Sequence, residues 1–500
     1  MICIAIAQES RRFALVDMLN AAPQCDLIEL RLDKFENPPD TKEFIAHKRR
    51  PVIFSCQRPQ DGGHWRGSEI ERLALLRQCI LNKADFVEIE LDAADQVRPL
   101  PPTKRIVSYT NLQETPPNIA EIYQQLVNKK PDIIKLTTVV RDAVDALPLI
   151  GLLVRATIPT VVVGRGQGGV MLSLMAKKLR SPWTYAALEK GMETYPAQPT
   201  IHALETVYHY RAIQRETRLI GVVAGDHRAG ASIAVLNAGL ARVQQSIRCA
   251  PLLVGDLAEF RTVTTALKKI DGVVVDERNW ESYAEVATGE AGASRPRLTD
   301  LLLRKDGEWH GYSTLARAAA SALENSLRER STNPHEPFHG RMVMIVGTNA
   351  TANMMAAALH ERKAIMMIAS HEKEAALAMA KQYDCRYVPF DSLYSTSHDV
   401  LVVCAEERLP FKKESADQPA GIHPGYLKPS ITVMDLTSLS QPSALAKAAA
   451  VHGSPVVTPE TVRLEQMALQ VETLGGQPAP REVMNEVWKT LLEDDGTVES

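Results

Sequence analysis

No apolar run in this chain reaches the ~18 to 20 residues of a membrane-spanning helix, so a membrane protein is not expected. Its seven cysteines (Cys3, Cys25, Cys56, Cys79, Cys249, Cys385 and Cys404) are scattered, and none forms a CxxC pair. Neither a zinc site nor a disulfide framework is therefore suggested. The formal net charge of -3 shows no excess of one sign, which argues against nucleic acid or a membrane surface as partner. The opening segment, MICIAIAQES, has no basic region and turns polar too early for a signal peptide. Internal repeats are absent. These exclusions lead to the expectation of a cytoplasmic protein, with homo-oligomerisation left open.

At 45% hydrophobic and 23% charged residues, the composition is ordinary for a globular protein. A length of 500 residues exceeds one core and implies roughly two to four domains. Over the first ~215 residues, short apolar runs alternate with longer amphipathic ones, the pattern of an α/β fold. Candidate strands are Ile2–Ala7, Leu27–Leu32, Val52–Ser55, Phe86–Leu91, Arg105–Tyr109, Ile133–Thr137, Thr160–Val163 and Trp183–Ala187. Helical stretches such as Ser68–Asn82 and Ile119–Asn128 fall between them, and Ile201–Glu216 reads as a closing helix. Eight such units predict a (β/α)8 barrel. A second α/β pattern starts at Leu219. A third begins at Arg341–Gly347, runs into the helix Ala352–Arg362 and continues as a doubly wound, Rossmann-like sheet. The expected division is 1–216, 217–330, 331–458, and a C-terminal helical segment 459–500 that packs back on the second region.

Lys135 is the most informative residue. It lies near the end of the strand-like run Pro131–Thr138, where barrel enzymes keep their chemistry. In an apolar mouth an ammonium sheds its proton, and the neutral amine can attack a ketone to form a Schiff base. The alternative is a lysine that snorkels to water. Glu29 and Arg31 share one face of their strand, either as a structural ion pair or as ligand contacts. Glu90 in Val87–Leu91 raises the same question. The glycines at 164, 166, 168 and 169 form a loop directly after a strand, where backbone N–H groups could cradle an anion.

Taken in order, "ELRLD", "DGG", "EIEL", "VSY…ETP", "DIIKLTT", a glycine-rich loop and a late "PAQP" resemble type I 3-dehydroquinate dehydratase over roughly residues 1–215. The resemblance implies a (β/α)8 barrel without a cofactor, whose lysine forms an imine with the substrate ketone. Lys135 matches that lysine. Glu29, Arg31, Glu90 and Gln198 match substrate-site residues, and either Gln57 or Arg58 matches an arginine, depending on a one-residue gap. Two positions depart from the family. Thr110 stands where a histidine shuttles protons, and Ser173 where an arginine clamps the substrate carboxylate, with Arg165 a displaced substitute. A threonine is no general base near neutral pH. His64 and His202 are the other histidines considered for that role.

Residues 219–500 resemble shikimate dehydrogenase, carried by Leu219–Gly225, the Asn237 helix, Lys305–Tyr312, the strand into Gly347, Val433–Asp435 and Glu465–Gln470. Ser232 and Gln466 match substrate contacts, and Gly347 is what remains of the dinucleotide loop. NADP is the cofactor implied. Trp280 occupies the position of the catalytic lysine, with Arg278 nearby, and Leu315 that of the catalytic aspartate. The arginine that would hold a 2′-phosphate is absent from Ala369-Ser370-His371. The two resemblances together imply consecutive shikimate-pathway steps, dehydration of 3-dehydroquinate and then NADPH-dependent reduction, the second impaired. The alternatives are a pseudoenzyme that binds a metabolite or protein in a regulatory or scaffolding role, and imine chemistry on a changed substrate.

Overall fold

The apolar runs of the first half form eight strands: β1 (Ile2–Ile6), β2 (Leu27–Arg31), β3 (Val52–Ser55), β4 (Phe86–Glu90), β5 (Lys104–Thr110), β6 (Ile133–Val139), β7 (Thr160–Arg165) and β8 (Thr184–Ala186). In this computed structural model each strand from β1 to β6 pairs in parallel with the next, and β8 pairs in parallel with β1. The end strands β7 and β8 lie beside each other, which brings the barrel close to closure. The structure describes residues 1–223, 228–243, 246–268, 270–288, 298–331, 333–405, 422–439 and 441–496. The chain forms two compact units, Met1–Val273 and Val274–Ser500.

Side chains alternate across a strand, so the inward face of each strand is a series two residues apart. Leu27, Ile53, Ile106, Ile133 and Val161 fill the lower interior with Cys3 and Trp183. The next inward positions are polar, and those residues build the site described below. On the outside, helix Glu69–Leu81 starts with a reciprocal cap: Ser68 Oγ accepts from Glu71 N, and the Glu71 carboxylate accepts from Ser68 N.

The expected closing helix over Ile201–Glu216 is broken into a π-helical turn, Ala203–Val207, and a 3₁₀ turn, Tyr210–Ala212. His209 between them has φ +47°, a left-handed backbone that no continuous helix accommodates. The first unit goes on to β9 (Arg218–Val223), β10 (Ile247–Pro251) and the first four residues of β11 (Ile270–Val275), in the order β10-β9-β11. Asn237 is fully buried there. Its side chain donates to the carbonyls of Val207 and Cys249 and accepts from Cys249 N. It spends its hydrogen bonds on the fold.

In the second unit, β12 (Leu301–Lys305) and β13 (Glu308–Tyr312) form an antiparallel hairpin. The two turn residues, Asp306 and Gly307, have φ +52° and +88°, the backbone that Asp-Gly supplies in two-residue hairpins. A six-stranded parallel sheet follows: β14 (Met342–Val346), β15 (Ile365–Ser370), β16 (Arg386–Pro389), β17 (Val400–Val403), β18 (Thr432–Asp435) and β19 (Val456–Val457). Its order, β16-β15-β14-β17-β18-β19, is the doubly wound 3-2-1-4-5-6 arrangement. Helix Pro459–Gly475 packs on helix Leu315–Arg328.

Candidate active site in the barrel

Above the apolar floor, the inward positions become Glu29, Ser55, Glu88, Ser108, Lys135 and Tyr185. One layer higher lie Arg31, Gln57, Thr110, Thr137 and Arg165. Lys135 is 5% exposed and sits inside the barrel, because β6 continues two residues beyond its expected end, to Val139. It does not snorkel to water. Its ammonium donates to Glu29 Oε2 at 3.1 Å and to Glu88 Oε2 at 2.8 Å, and it lies 4.8 Å above the Tyr185 ring. Two buried carboxylates thus replace the apolar mouth expected from the sequence. Burial pushes the lysine pKa down, but Glu29 and Glu88 outweigh burial and hold it above the ordinary value. The resting state is an ammonium, and attack on a ketone requires a proton acceptor.

The two carboxylates are pushed in opposite directions. Burial raises the Glu29 pKa, but Lys135, Arg31 and a 2.7 Å hydrogen bond from Ser55 Oγ bring it below the usual carboxylate range. For Glu88, burial and the neighbouring Glu29 charge win over Lys135 and raise it. This is the familiar outcome when two carboxylates share one site.

Lys135, Glu29, Arg31, Gln57, Thr110 and Arg165 line a chamber of about 30 Å³. A basin of about 330 Å³ shares Ala5, Arg31 and Thr194 with it and carries Lys34 and His64 on its wall. Arg31 is neutralised by a two-pronged pair with Asp33, at 3.0 and 2.8 Å. Arg165 has no carboxylate partner among the described residues, and burial and Arg31 both press its pKa down. An unneutralised guanidinium in a cavity is an anion site. The glycine-rich loop serves to place it. Gly166 has φ +105°, and a Cβ there would come within 2.9 Å of Val140 O. The N–H of Gly166 bonds Pro196 O and that of Gly169 bonds Gly166 O, so neither is available to an anion.

Other residues singled out in the sequence lie off the chamber. Arg58 pairs with Asp61 at 2.6 Å and Asp92 at 2.9 Å, and the wall position belongs to Gln57. Glu90 faces Arg72, 2.9 Å away, and burial raises its pKa to about 7 against that partner. Glu88, two residues earlier on the same face, is the glutamate at the lysine, and sequence reasoning missed it. Gln198 is buried; its Oε1 accepts from Thr194 N at 2.7 Å and Thr194 Oγ1, while its Nε2 is buried without a partner. It holds the loop whose Thr194 and Tyr195 line the chamber. Thr110 is on the wall where a histidine is expected. His64 Nε2 lies 3.2 Å from Lys34 Nζ in the outer basin, and His202 is exposed.

In the first unit, Ser232 is buried in helix Arg228–Arg242. In the second unit, the matched positions are occupied by structural contacts. Trp280 is buried and donates Nε1–H to Val275 O at 2.8 Å. Gln466 donates to Asp300 Oδ2 at 2.8 Å, and the same carboxylate accepts from Thr314 N, Thr314 Oγ1 and Leu315 N. Burial raises the Asp300 pKa to about 6. Asp300 was not singled out in the sequence, and it ties the start of helix Leu315–Arg328 to helix Pro459–Gly475.

Gly347 keeps φ +108°, and a Cβ there would meet Ala405 Cβ at 2.7 Å. The next turn does not suit NADP. Asn349 caps helix Ala350–Glu361 through Ala352 N, and Thr348 Oγ1 donates to Glu372 Oε2 at 2.6 Å. That carboxylate follows β15, where a 2′-phosphate would need a cation.

A (β/α)8 barrel with an interior lysine between carboxylates, opening on a chamber with an unneutralised guanidinium, has the parts of an imine-forming lyase. The family model for Type I 3-dehydroquinase matches residues 2–215, and the chain belongs to that family. A 3-dehydroquinate dehydratase from Methanothermobacter thermautotrophicus is 35% identical over 179 residues, 35% of this chain and 79% of the relative. The chloroplastic bifunctional 3-dehydroquinate dehydratase/shikimate dehydrogenase of Arabidopsis thaliana is 25% identical over 478 residues, 92% of this chain and 79% of that protein. The solved dehydroquinate dehydratase and shikimate dehydrogenase of S. pombe AroM aligns over 97% of this chain and 98% of its own, at 16% identity and a TM-score of 0.43.

Proposed function

We propose that the barrel dehydrates 3-dehydroquinate to 3-dehydroshikimate through a Schiff base on Lys135. The observation that carries this reading is a buried lysine at 2.8 and 3.1 Å from two carboxylates, opening on a chamber with one unneutralised guanidinium. In this scheme Lys135 attacks the ketone, and Arg165 takes the substrate carboxylate in place of the arginine displaced by Ser173. Glu29 and Gln57 orient the ring hydroxyls. The chamber and the 330 Å³ basin share Ala5, Arg31 and Thr194, and the substrate ring spans both. Formation of the conjugated product, followed by ultraviolet absorbance, tests the proposal. Turnover that disappears in Lys135→Ala supports it, and turnover unchanged in that variant overturns it.

For residues 217–500 the reading is a shikimate dehydrogenase-like fold whose role is to bind a metabolite or a partner rather than to transfer hydride. The observation favouring it is Trp280, buried and hydrogen-bonded where the proton-transferring lysine would stand. Without that acid/base group, reduction has no proton path. The limits at 216/217, 330/331 and 458/459 belong to the same reading. Robust shikimate oxidation with NADP⁺ would sink it.

A further inference from the structure

We infer that Glu88 is the proton acceptor that frees Lys135 for attack, so that a buried carboxylate does the work of the histidine displaced by Thr110. The inference rests on the Schiff-base reading of the barrel. Lys135 Nζ has two hydrogen-bond acceptors, Glu29 and Glu88. Glu29 already accepts from Ser55 and sits beside Arg31, so its ionised form is well stabilised and it is the weaker base. Glu88 is closer to the amine, is buried with it, and carries the like charge of Glu29 as a neighbour that a proton would relieve. The other candidates fail on position or chemistry. Thr110 is a hydroxyl, the Tyr185 phenol is held protonated by burial and Glu29, His64 is bonded to Lys34 in the outer basin, and His202 is on the surface. Glu88 is not part of the chamber wall, so it can hold a proton beneath the lysine while substrate occupies the space above.

The proton balance closes without an outside acid. The ammonium passes one proton to Glu88, and the neutral amine adds to the carbonyl carbon. The alkoxide oxygen takes up the second amine proton, giving a carbinolamine. Glu88 then protonates the carbinolamine nitrogen, that proton passes to the hydroxyl, and the hydroxyl leaves as water while the nitrogen lone pair forms the iminium. The sum is ammonium plus ketone giving iminium plus water, with Glu88 ionised at the start and at the end.

Because the proton stays inside the pair, the fraction of free amine does not depend on bulk pH. Two readouts follow this: the rate of borohydride-trapped adduct with 3-dehydroquinate, and acetic anhydride labelling of Lys135 without substrate. Both are expected to be flat from about pH 6 to about pH 9 in the parent protein. In Glu88→Gln both should rise about tenfold per pH unit, with adduct formation near pH 7 slower by about 10²-fold. Glu88→Asp, which keeps the carboxylate, should restore the flat profile and serves if Glu88→Gln does not fold. A tenfold slope in the parent protein, or a flat profile in Glu88→Gln, overturns the inference. If the parent protein forms no adduct, the choice of substrate fails, and the labelling profile alone decides the role of Glu88.

Discussion

The barrel and the second unit have both lost residues that their relatives' motifs call for, yet the survivors are used differently. In the barrel, the survivors Lys135 and Glu29 face a chamber together with the substitute Arg165. In the second unit, the survivor Gln466 and the replacements Trp280 and Asn349 are bonded to the protein itself. A buried polar group needs a partner; Lys135 and Glu29 have protein partners and also line the chamber, whereas Gln466 and Trp280 spend their bonds on the fold. Arg165 has no such carboxylate among the described residues, and that leaves it for a ligand. Matching a motif letter therefore says less than finding where its hydrogen bonds go. By that measure Gln466, a match by sequence, is spent on the fold, while Arg165, a departure, lines the chamber with no carboxylate partner among the described residues.

The largest effect that would break the comparison is at Lys135. Lys135→Ala should lower dehydratase turnover by about 10⁴-fold or more in a steady-state assay. It should also destabilise the barrel by about 3–5 kcal/mol in urea unfolding at neutral pH, because Glu29 and Glu88 are left facing each other. A stable, active variant would contradict both.

Asp300 sharpens the comparison from the structural side. Its folded pKa, about 6, lies above the unfolded value, so its stabilising contribution is complete below about pH 4 and is lost as pH rises through 6. The parent protein should lose roughly 3 kcal/mol from this group between pH 4 and pH 7. Asp300→Asn should flatten that portion of the stability profile, and an unchanged slope would contradict the assignment.

Arg165→Ala should raise KM for the anionic substrate by about 10- to 100-fold with little change in kcat, the loss of one charge-assisted contact. A pure kcat effect would instead place Arg165 on the reacting atoms. The smallest effect concerns the Gly347 loop, where Glu372 faces the position of a 2′-phosphate. Millimolar NADPH should move Tm by less than about 1 °C, since a ligand that does not bind cannot stabilise. A clear rise would mean that the loop opens and Glu372 turns away.

The eight barrel strands were legible because each is a short apolar run between amphipathic ones, and the doubly wound lobe was legible for the same reason. Depth within the barrel was not. Glu88 and Glu90 share a face by alternation, and only strand tilt and stagger decide which one reaches Lys135. Gln57 and Arg58 differ by one residue, and one step along a strand end exchanges the chamber for the ion pairs with Asp61 and Asp92. The Asp306-Gly307 turn is a hairpin signal readable in the sequence. Asp300 carried no local signal, since its partners come from positions 314, 315 and 466. The expectation of an easily deprotonated lysine failed because sequence shows an apolar run around Lys135 but not the two carboxylates brought to it from β2 and β4.

The most direct test of the central claim is intact-mass spectrometry after mixing the protein with 3-dehydroquinate and borohydride. The account predicts a reduced adduct that maps to Lys135 and is absent from Lys135→Ala. No adduct, with an active type I dehydratase trapped in parallel, would contradict it.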